Sequence, residues 1–497
     1  MDLTSDEPAW AADVLWEPRA ARAAQPAAAG PPVRPRGEPA ADRPTARAMG
    51  VMLAVLAAVA VAARGLDQGT SPAPAAPRVA SPRSSPAHAA SASPRRGAPS
   101  PRLRAGDTGA PVLALQTALA ALKLDPGPQD GAFGAQTRTA VAGFQAAHGL
   151  PADGVVGQTT AKAIVKALGA SVRADAAAAQ AGFERAEAAG RLPAADAHAA
   201  KAALAAAVAR AGSGHIGEAA LVAAALHDVA AQADVYDGPR ARALFGMLAA
   251  NVDRAASGGV PAAGASIEDG DGVVYRYFPG HGLQFHPLAS FAALNADVTQ
   301  GRTADARRLA DAMVARGIPT GDALVWEYDF DFGGAQRWTS GFAQAVGADA
   351  LARAGRLLED PKLAAAAGKA FAAIPASYLT PAGGGEWIRE YSQNHLLILN
   401  AQLQTYLSLS DYARVSGDGE ARRVAGELLT AARALLPRFD AGCWSRYSLG
   451  GALATSHYDA YHVRLLRQVA RVTGDRSWAS IADRWQQGLE HGGCQPG

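Results

Sequence analysis

Cysteine is nearly missing: the 497 residues include two, Cys443 and Cys494. A disulfide-framework fold is thereby excluded. Aromatic residues make up only 6% of the chain, so a place where they gather has a local reason. Net charge is also scarce. The 47 Lys and Arg against 45 Asp and Glu leave +2, which argues against a nucleic-acid binder working by bulk charge. There is no Walker-type loop, no dinucleotide-binding glycine fingerprint and no Cys/His zinc spacing. No cofactor and no resident metal is therefore expected. The one long apolar run, residues 48–63, reads AMGVMLAVLAAVAVAA. It is short for a spanning helix, which wants about 20 residues.

What the chain has in plenty is alanine, within a 49% hydrophobic composition. Alanine favours helix over strand, so a mainly α protein is predicted. Residues 1–47 are rich in Ala, Pro and Arg without a sustained period and are expected to be a disordered cytoplasmic tail. Arg34, Arg36, Arg43 and Arg47 precede the apolar run and only Arg64 follows closely. That asymmetry marks 48–63 as a transmembrane signal anchor with the rest outside the cytoplasm. A cleaved signal peptide starting at Met49 would export the same domains. Residues 64–101 are Pro/Ser/Ala-rich and form an extended linker. Export would also permit Cys443 and Cys494 to pair.

Order resumes after residue 102. Val112, Leu115, Leu119 and Leu122 fall on one helical face. Two related pieces follow, DGAFGAQTRTAVAGFQ from Asp130 and DGVVGQTTAKAI from Asp153. Each reads D-G-x-x-G-x-x-T before an apolar helical pattern. Asp-Gly makes a tight turn in which glycine takes the positive φ. With LRAGDTGAPVLALQTALAAL, these blocks resemble the three-helix peptidoglycan-binding domain of bacterial wall hydrolases. One departure is KLDPGPQDG, where that family usually has a glycine soon after its second helix. The resemblance implies that 102–168 holds the protein on peptidoglycan. An inert helical spacer is the plainer alternative.

Residues 169–497 carry consecutive helical periods. They run through 174–258 with breaks at GRLP, GSGHIG and VYDGP, then over 287–317, 341–357, 361–376, 394–416, 418–437 and 458–472. Alternation typical of strands is local, as in GVVYRYF at 272–278. Helix pairs joined by short loops predict an α/α toroid. The rare aromatics gather in four loops, YRYFPGHGLQFHP, WEYDFDFGGAQRWTSGFAQ, GGGEWIREYSQN and CWSRYSLGGALATSHYDAYHVRLL. Aromatic faces suit sugar rings, and arginine suits carboxylates. Together they point to an acidic sugar.

These blocks, from about 272 to 488, resemble the C-terminal domain of D-glucuronyl C5-epimerases. The β-rich domains that precede it in animal members are missing between the wall-binding segment and this one. The resemblance implies a uronate C5-epimerase-like isomerase acting on a uronate-containing polysaccharide. It assigns proton transfer to Tyr391, Tyr447 and Tyr461, with Glu390 in support. Asn400 matches an asparagine of the family, although Ala401 stands where the family has glycine. Arg389, which stands where the family often has an acidic residue, and Arg446 are candidate carboxylate clamps. Trp338, Gln344 and His286 complete the expected substrate-facing set. Tyr458, His457 and His462 read as structural. Glu327, Asp329 and Asp331 alternate as metal ligands can, but also as a strand edge does. A polysaccharide lyase, a glycoside hydrolase using Glu327 or Asp329 with Glu390, and a non-catalytic glycan binder are the alternatives. The expected setting is the bacterial cell envelope.

Overall fold

The computed structural model describes residues 102–212 and 214–492. The tail, the apolar run 48–63, the linker and Cys494 lie outside them. Among the described residues no helix is long and apolar enough to cross a membrane. Cys443 is disulfide-bonded.

The first part is α1 (Ala110–Ala121), α2 (Ala135–Ala147) and the start of α3 (Gln158–Ala188). Val112, Leu115 and Leu119 form its core with Phe133, Val141, Phe144 and Ile164. Each Asp-Gly turn is locked by a glutamine from the helix before it. Gln116 Nε2 donates to Asp130 Oδ1 at 3.2 Å and Ala132 O at 3.1 Å, while its Oε1 accepts from Gly131 N at 2.8 Å. Gln145 repeats the pattern on Asp153 Oδ1 at 2.9 Å, Val155 O at 3.0 Å and Gly154 N at 2.9 Å. Gly131 and Gly154 have φ of 74° and 71°, the left-handed conformation the turn requires. Both glutamines are buried, so deleting an amide strands several polar groups. Gln145→Leu is expected to cost about 2–3 kcal/mol, measured by urea unfolding of the full chain. A loss below about 0.5 kcal/mol, the range of ordinary surface changes, would show that the turn holds itself.

No break falls at residue 168. Helix α3 crosses it and leads directly into α4 (Ala194–Ala211), α5 (Ile216–Ala231) and α6 (Gly238–Ser257). The expected chain breaks at GRLP, GSGHIG and VYDGP are where these helices end. Helix α5 is buried on nearly every side, which its run of small apolar residues permits. It packs against α1, α3, α4 and α6, joining the first part to the second. Thr117 Oγ1 and Tyr277 Oη, 3.1 Å apart, add a buried polar link.

A three-stranded antiparallel sheet follows, β1 (Ser266–Glu268), β2 (Val274–Phe278) and β3 (Gly282–Phe285). Four helical hairpins come next: α7 (Pro287–Thr299) with α8 (Thr303–Ala315), α9 (Gly341–Leu357) with α10 (Pro361–Ser377), α11 (Leu399–Ser416) with α12 (Gly419–Phe439), and α13 (Ser456–Thr473) with α14 (Arg476–Glu490). Helices α7, α9, α11 and α13 pack in sequence as an inner row, each backed by its hairpin partner. This is the α/α arrangement expected from the periods. Helix α14 was not among those periods, although Trp478, Ala482 and Trp485 are buried at helical spacing. Its partner α13 ends in Gly474 at φ 72°, and Asp475 then caps α14.

Short turns fold each outer helix back, so the four inner helices run in one direction. Their N-termini therefore share one end of the row. The four aromatic loops all lead into that end. The connections that lead there also hold the two-stranded ribbons β4 (Ile318–Thr320) with β5 (Ala323–Val325), β6 (Glu327–Tyr328) with β7 (Trp338–Thr339), and β8 (Leu379–Ala382) with β9 (Gly385–Ile388).

Candidate active site

The β6–β7 ribbon builds an aromatic block. Tyr328 and Trp338 stack at 4.0 Å with planes 2° apart. Phe330 lies 4.7 Å from Phe278 and 5.6 Å from Trp338. Tyr391 closes the block, 5.1 Å from Phe332 and 5.6 Å from Trp338. Trp338 is thus a buried support for Tyr391, with its face taken by Tyr328, and not an open sugar platform. His286 is also internal. Its Nδ1 accepts from Ala289 N at 3.1 Å and caps α7. Burial, aided by Arg276, holds its pKa well below the usual imidazole range, so it is neutral. Gln344 donates its amide to the carbonyls of Leu324 and Ala370, tying α9 to β5 and α10. Arg389 donates to Ser377 O at the C-terminus of α10, where a cation suits the helix dipole. These four expected substrate contacts are committed to the fold.

The segment after β9 carries Glu390 and Tyr391, and it is tightly anchored. Arg389 N donates to Tyr378 O at 2.8 Å, Gly341 N to Arg389 O at 3.1 Å, and Ser392 N to Thr339 O at 2.9 Å. Gly341 permits this approach. A Cβ there would meet Arg389 O at 2.6 Å and Tyr378 Cβ at 2.7 Å. The chain then turns along 396–399 and pairs with the hairpin carrying Tyr447. Leu399 N donates to Tyr447 O at 3.2 Å and Leu449 N to Leu397 O at 2.9 Å. The Tyr447 ring rests on Tyr458 at 4.6 Å. As expected for a structural group, Tyr458 is buried at the start of α13.

Tyr461 lies one turn further along α13. Its hydroxyl donates to Gln404 Oε1 at 3.4 Å. Gln404 stands one turn beyond Asn400, so both occupy one face of α11. Arg464 sits 5.2 Å from the centre of the Tyr461 ring. Burial pushes the Tyr461 phenol above its ordinary pKa; Arg464 opposes the shift and the charge of Glu390 adds to it. Glu390 acts in the same direction on Tyr328. The structure therefore brings Glu390 within electrostatic reach of Tyr461, although the two are 71 positions apart (461 − 390). Arg446, in the same hairpin as Tyr447, donates Nη1 to Gly451 O at 2.8 Å.

A buried cluster fixes that hairpin to α13. Asp459 Oδ1 accepts from Ser445 N at 2.7 Å and from Ser445 Oγ at 2.5 Å. The serine hydroxyl has only one proton, so His462 Nδ1 donates to it, at 2.7 Å. All three residues are 0% exposed. Burial lowers the His462 pKa to about 3, so the ring is neutral. Serine stands between the other two, whereas a nucleophilic triad places histidine in the middle. The cluster is a clasp that sets Tyr447, two residues on, against Tyr458.

The acidic alternation has a different use. Glu327 forms a two-pronged pair with Arg240, at 2.8 and 2.9 Å. Asp329 is buried, and burial with the Glu327 charge raises its pKa to about 7. Among the described residues no His, Cys, Asp or Glu group is arranged to hold a metal ion. Three residues of the site were not singled out from the sequence: Arg464 and Asp459, although both lie in the CWSRYSLGGALATSHYDAYHVRLL block, and Gln404. The remaining clue was helical spacing, since 464 follows 461 by three and 404 follows 400 by four.

The segment after β9, the hairpin of Tyr447 and the helix face of Tyr461 all lie within one stretch. Residues 320–487 match the D-glucuronyl C5-epimerase C-terminus family. The epimerase match takes in Trp338, Gln344, Arg389, Glu390, Tyr391, Asn400, Arg446, Tyr447 and Tyr461, and leaves out His286. Residues 108–164 match a peptidoglycan binding domain family. A curated relative, an uncharacterized protein of Methanocaldococcus jannaschii, is 28% identical over 102 residues, which is 20% of this chain. The chain thus spans 33% of that relative's length. Similar solved structures include a GH8 endo-beta-1,4-glucanase from an Achatina fulica gut metagenomic library, 13% identical with a TM-score of 0.33, covering 46% of this chain and 74% of that one. The family 8 endoglucanase of Klebsiella pneumoniae is 12% identical with a TM-score of 0.33, covering 45% and 76%.

Proposed function

We propose that the helical domain is a uronate C5-epimerase acting on an acidic polysaccharide in the bacterial cell envelope. The segment 108–164 would hold the enzyme on peptidoglycan, and the N-terminal apolar run would anchor or export it. The observation that carries this reading is that Glu390, next to Tyr391, acts electrostatically on Tyr461, while the Tyr447 ring rests on Tyr458, one helical turn before Tyr461. Four helix N-termini share one end of the inner helix row, and their partial positive charge favours an anionic substrate.

Epimerisation removes the proton at C5, beside the carboxylate, and returns one on the other face. Burial keeps the Tyr461 phenol protonated, which fits the donor role. Tyr447 or Tyr391, as the phenolate, takes the C5 proton first, and Tyr461 then gives its phenol proton to the other face of the resulting carbanion. Arg464 and Arg446 are the cations placed to hold the carboxylate as charge develops on it. Arg464 thus takes the place expected for Arg389.

The test is incubation of the purified protein with glucuronate polymers in heavy water, followed by proton NMR. Loss of the C5 proton signal without chain cleavage is expected. Unsaturated uronate would mean a lyase instead. One observation favours a hydrolase as second reading: Asp329, with its pKa near 7, has the character of a general acid. New reducing ends that disappear in Asp329→Asn would select it.

A further inference from the structure

Lys123 follows α1 with a φ of 61°. Glycine fits that conformation freely, and a side chain there is strained. The lysine side chain lines a cavity of about 280 Å³ at the seam between the first three helices and the helical domain. Helix α5 contributes His227 and Asp228, the β2–β3 turn His281, and the loop after β6 Asp331. None of the proposed tyrosine-site residues lines it.

The walls are built rather than incidental. Asp228 is only 7% exposed, and two donors aim it. His281 Nδ1 lies 3.0 Å from its Oδ2, and Gln284 Nε2 donates to the same oxygen at 2.9 Å. Phe330 also borders the cavity, but its ring is 1% exposed and enclosed by Phe278, His281 and Trp338. It offers no open face for a sugar. What the cavity does offer is charge of both signs: an ammonium from the first part and carboxylates from the second.

We propose that this seam cavity binds the diamino-acid end of a wall peptide. The peptide's carboxylate pairs with Lys123, beside His227, and its side-chain ammonium with Asp331 and Asp228. The inference rests on the wall-binding reading of 108–164 and assigns that binding to the peptide rather than the glycan. It also gives a reason for a lysine at a left-handed position.

The experiment is calorimetric titration of the full chain with a tripeptide of alanine, γ-linked glutamate and C-terminal lysine. Its Nε-acetylated form and a tetramer of N-acetylglucosamine are titrated alongside, and sedimentation with insoluble peptidoglycan is run in parallel. Lys123→Gly is expected to weaken tripeptide binding about fivefold, the scale of one exposed ion pair. The same change relieves the backbone, so Tm should rise by about 1–2 °C rather than fall. Asp331→Asn and acetylation of the peptide should each weaken binding to a similar degree. Equal affinity across wild type and both variants overturns the proposal. So does sedimentation with peptidoglycan when the tripeptide does not bind, or when only the glycan tetramer does. Failure to sediment at all removes the wall-binding reading, and this inference with it.

Discussion

Tyr461→Phe is expected to lower C5 proton exchange by about 10²–10⁴-fold while leaving the fold in place. The removed hydroxyl makes one long bond, 3.4 Å to Gln404, so its loss costs at most about 0.5–1 kcal/mol. The ring and its contact with Arg464 remain. An unchanged melting curve with exchange reduced to background would place the phenol at the reacting carbon. Wild-type exchange in this variant would remove Tyr461 from the chemistry and leave Tyr391 and Tyr447 as the pair to test. Arg464→Gln supplies a second reading of the same face. If the guanidinium holds the substrate carboxylate, KM should rise along with a fall in kcat.

The second large effect belongs to a residue that need not touch substrate. Asp459→Ala leaves the Ser445 amide and hydroxyl without their acceptor in a site of zero exposure. The expected destabilisation is about 3 kcal/mol, read from urea unfolding. Stability alone would not separate a clasp from a site-positioning device. The discriminating measurement is exchange activity at a temperature where the variant is fully folded. A positioning residue predicts a fall in kcat there, with recovery in Asp459→Asn, whose amide oxygen can still accept from the Ser445 amide. Full activity in folded Asp459→Ala would reduce the cluster to a stability element.

The sequence made the helices legible because their apolar residues recur at helical spacing over long windows. Helices α9, α10 and α12 began close to where Ser340, Asp360 and Asp418 cap them, whereas the period read from 394 becomes helix only at Leu399, which has no side-chain cap. Helix α14 was harder to see because two large tryptophans with few other apolar residues supply its buried face. The tyrosines and Glu390 were visible through motif resemblance, but their supporting partners were not. Whether an arginine faces a ligand or a helix end depends on which carbonyls the fold presents, and Arg389 met Ser377 first. Trp338 and Gln344 show the same limit. Residue type said aromatic and amide, and only packing said that each was already occupied. The glutamines at 116 and 145 were equally silent, since the Asp-Gly repeat shows the turn but not the distant side chain that fills it.

Helix α3 has a consequence for how the two activities would work together. It begins among the turns of the first part and ends as a wall of the second, over 31 residues without interruption. With α5 packed against α1, the joint has no hinge. A flexible tether would let a bound enzyme sample a sphere of positions, at an effective concentration set by linker length. A continuous helix offers a single distance and a single orientation instead. Polymer strands lying at that fixed height above the anchoring surface would be served repeatedly, and strands at any other height not at all.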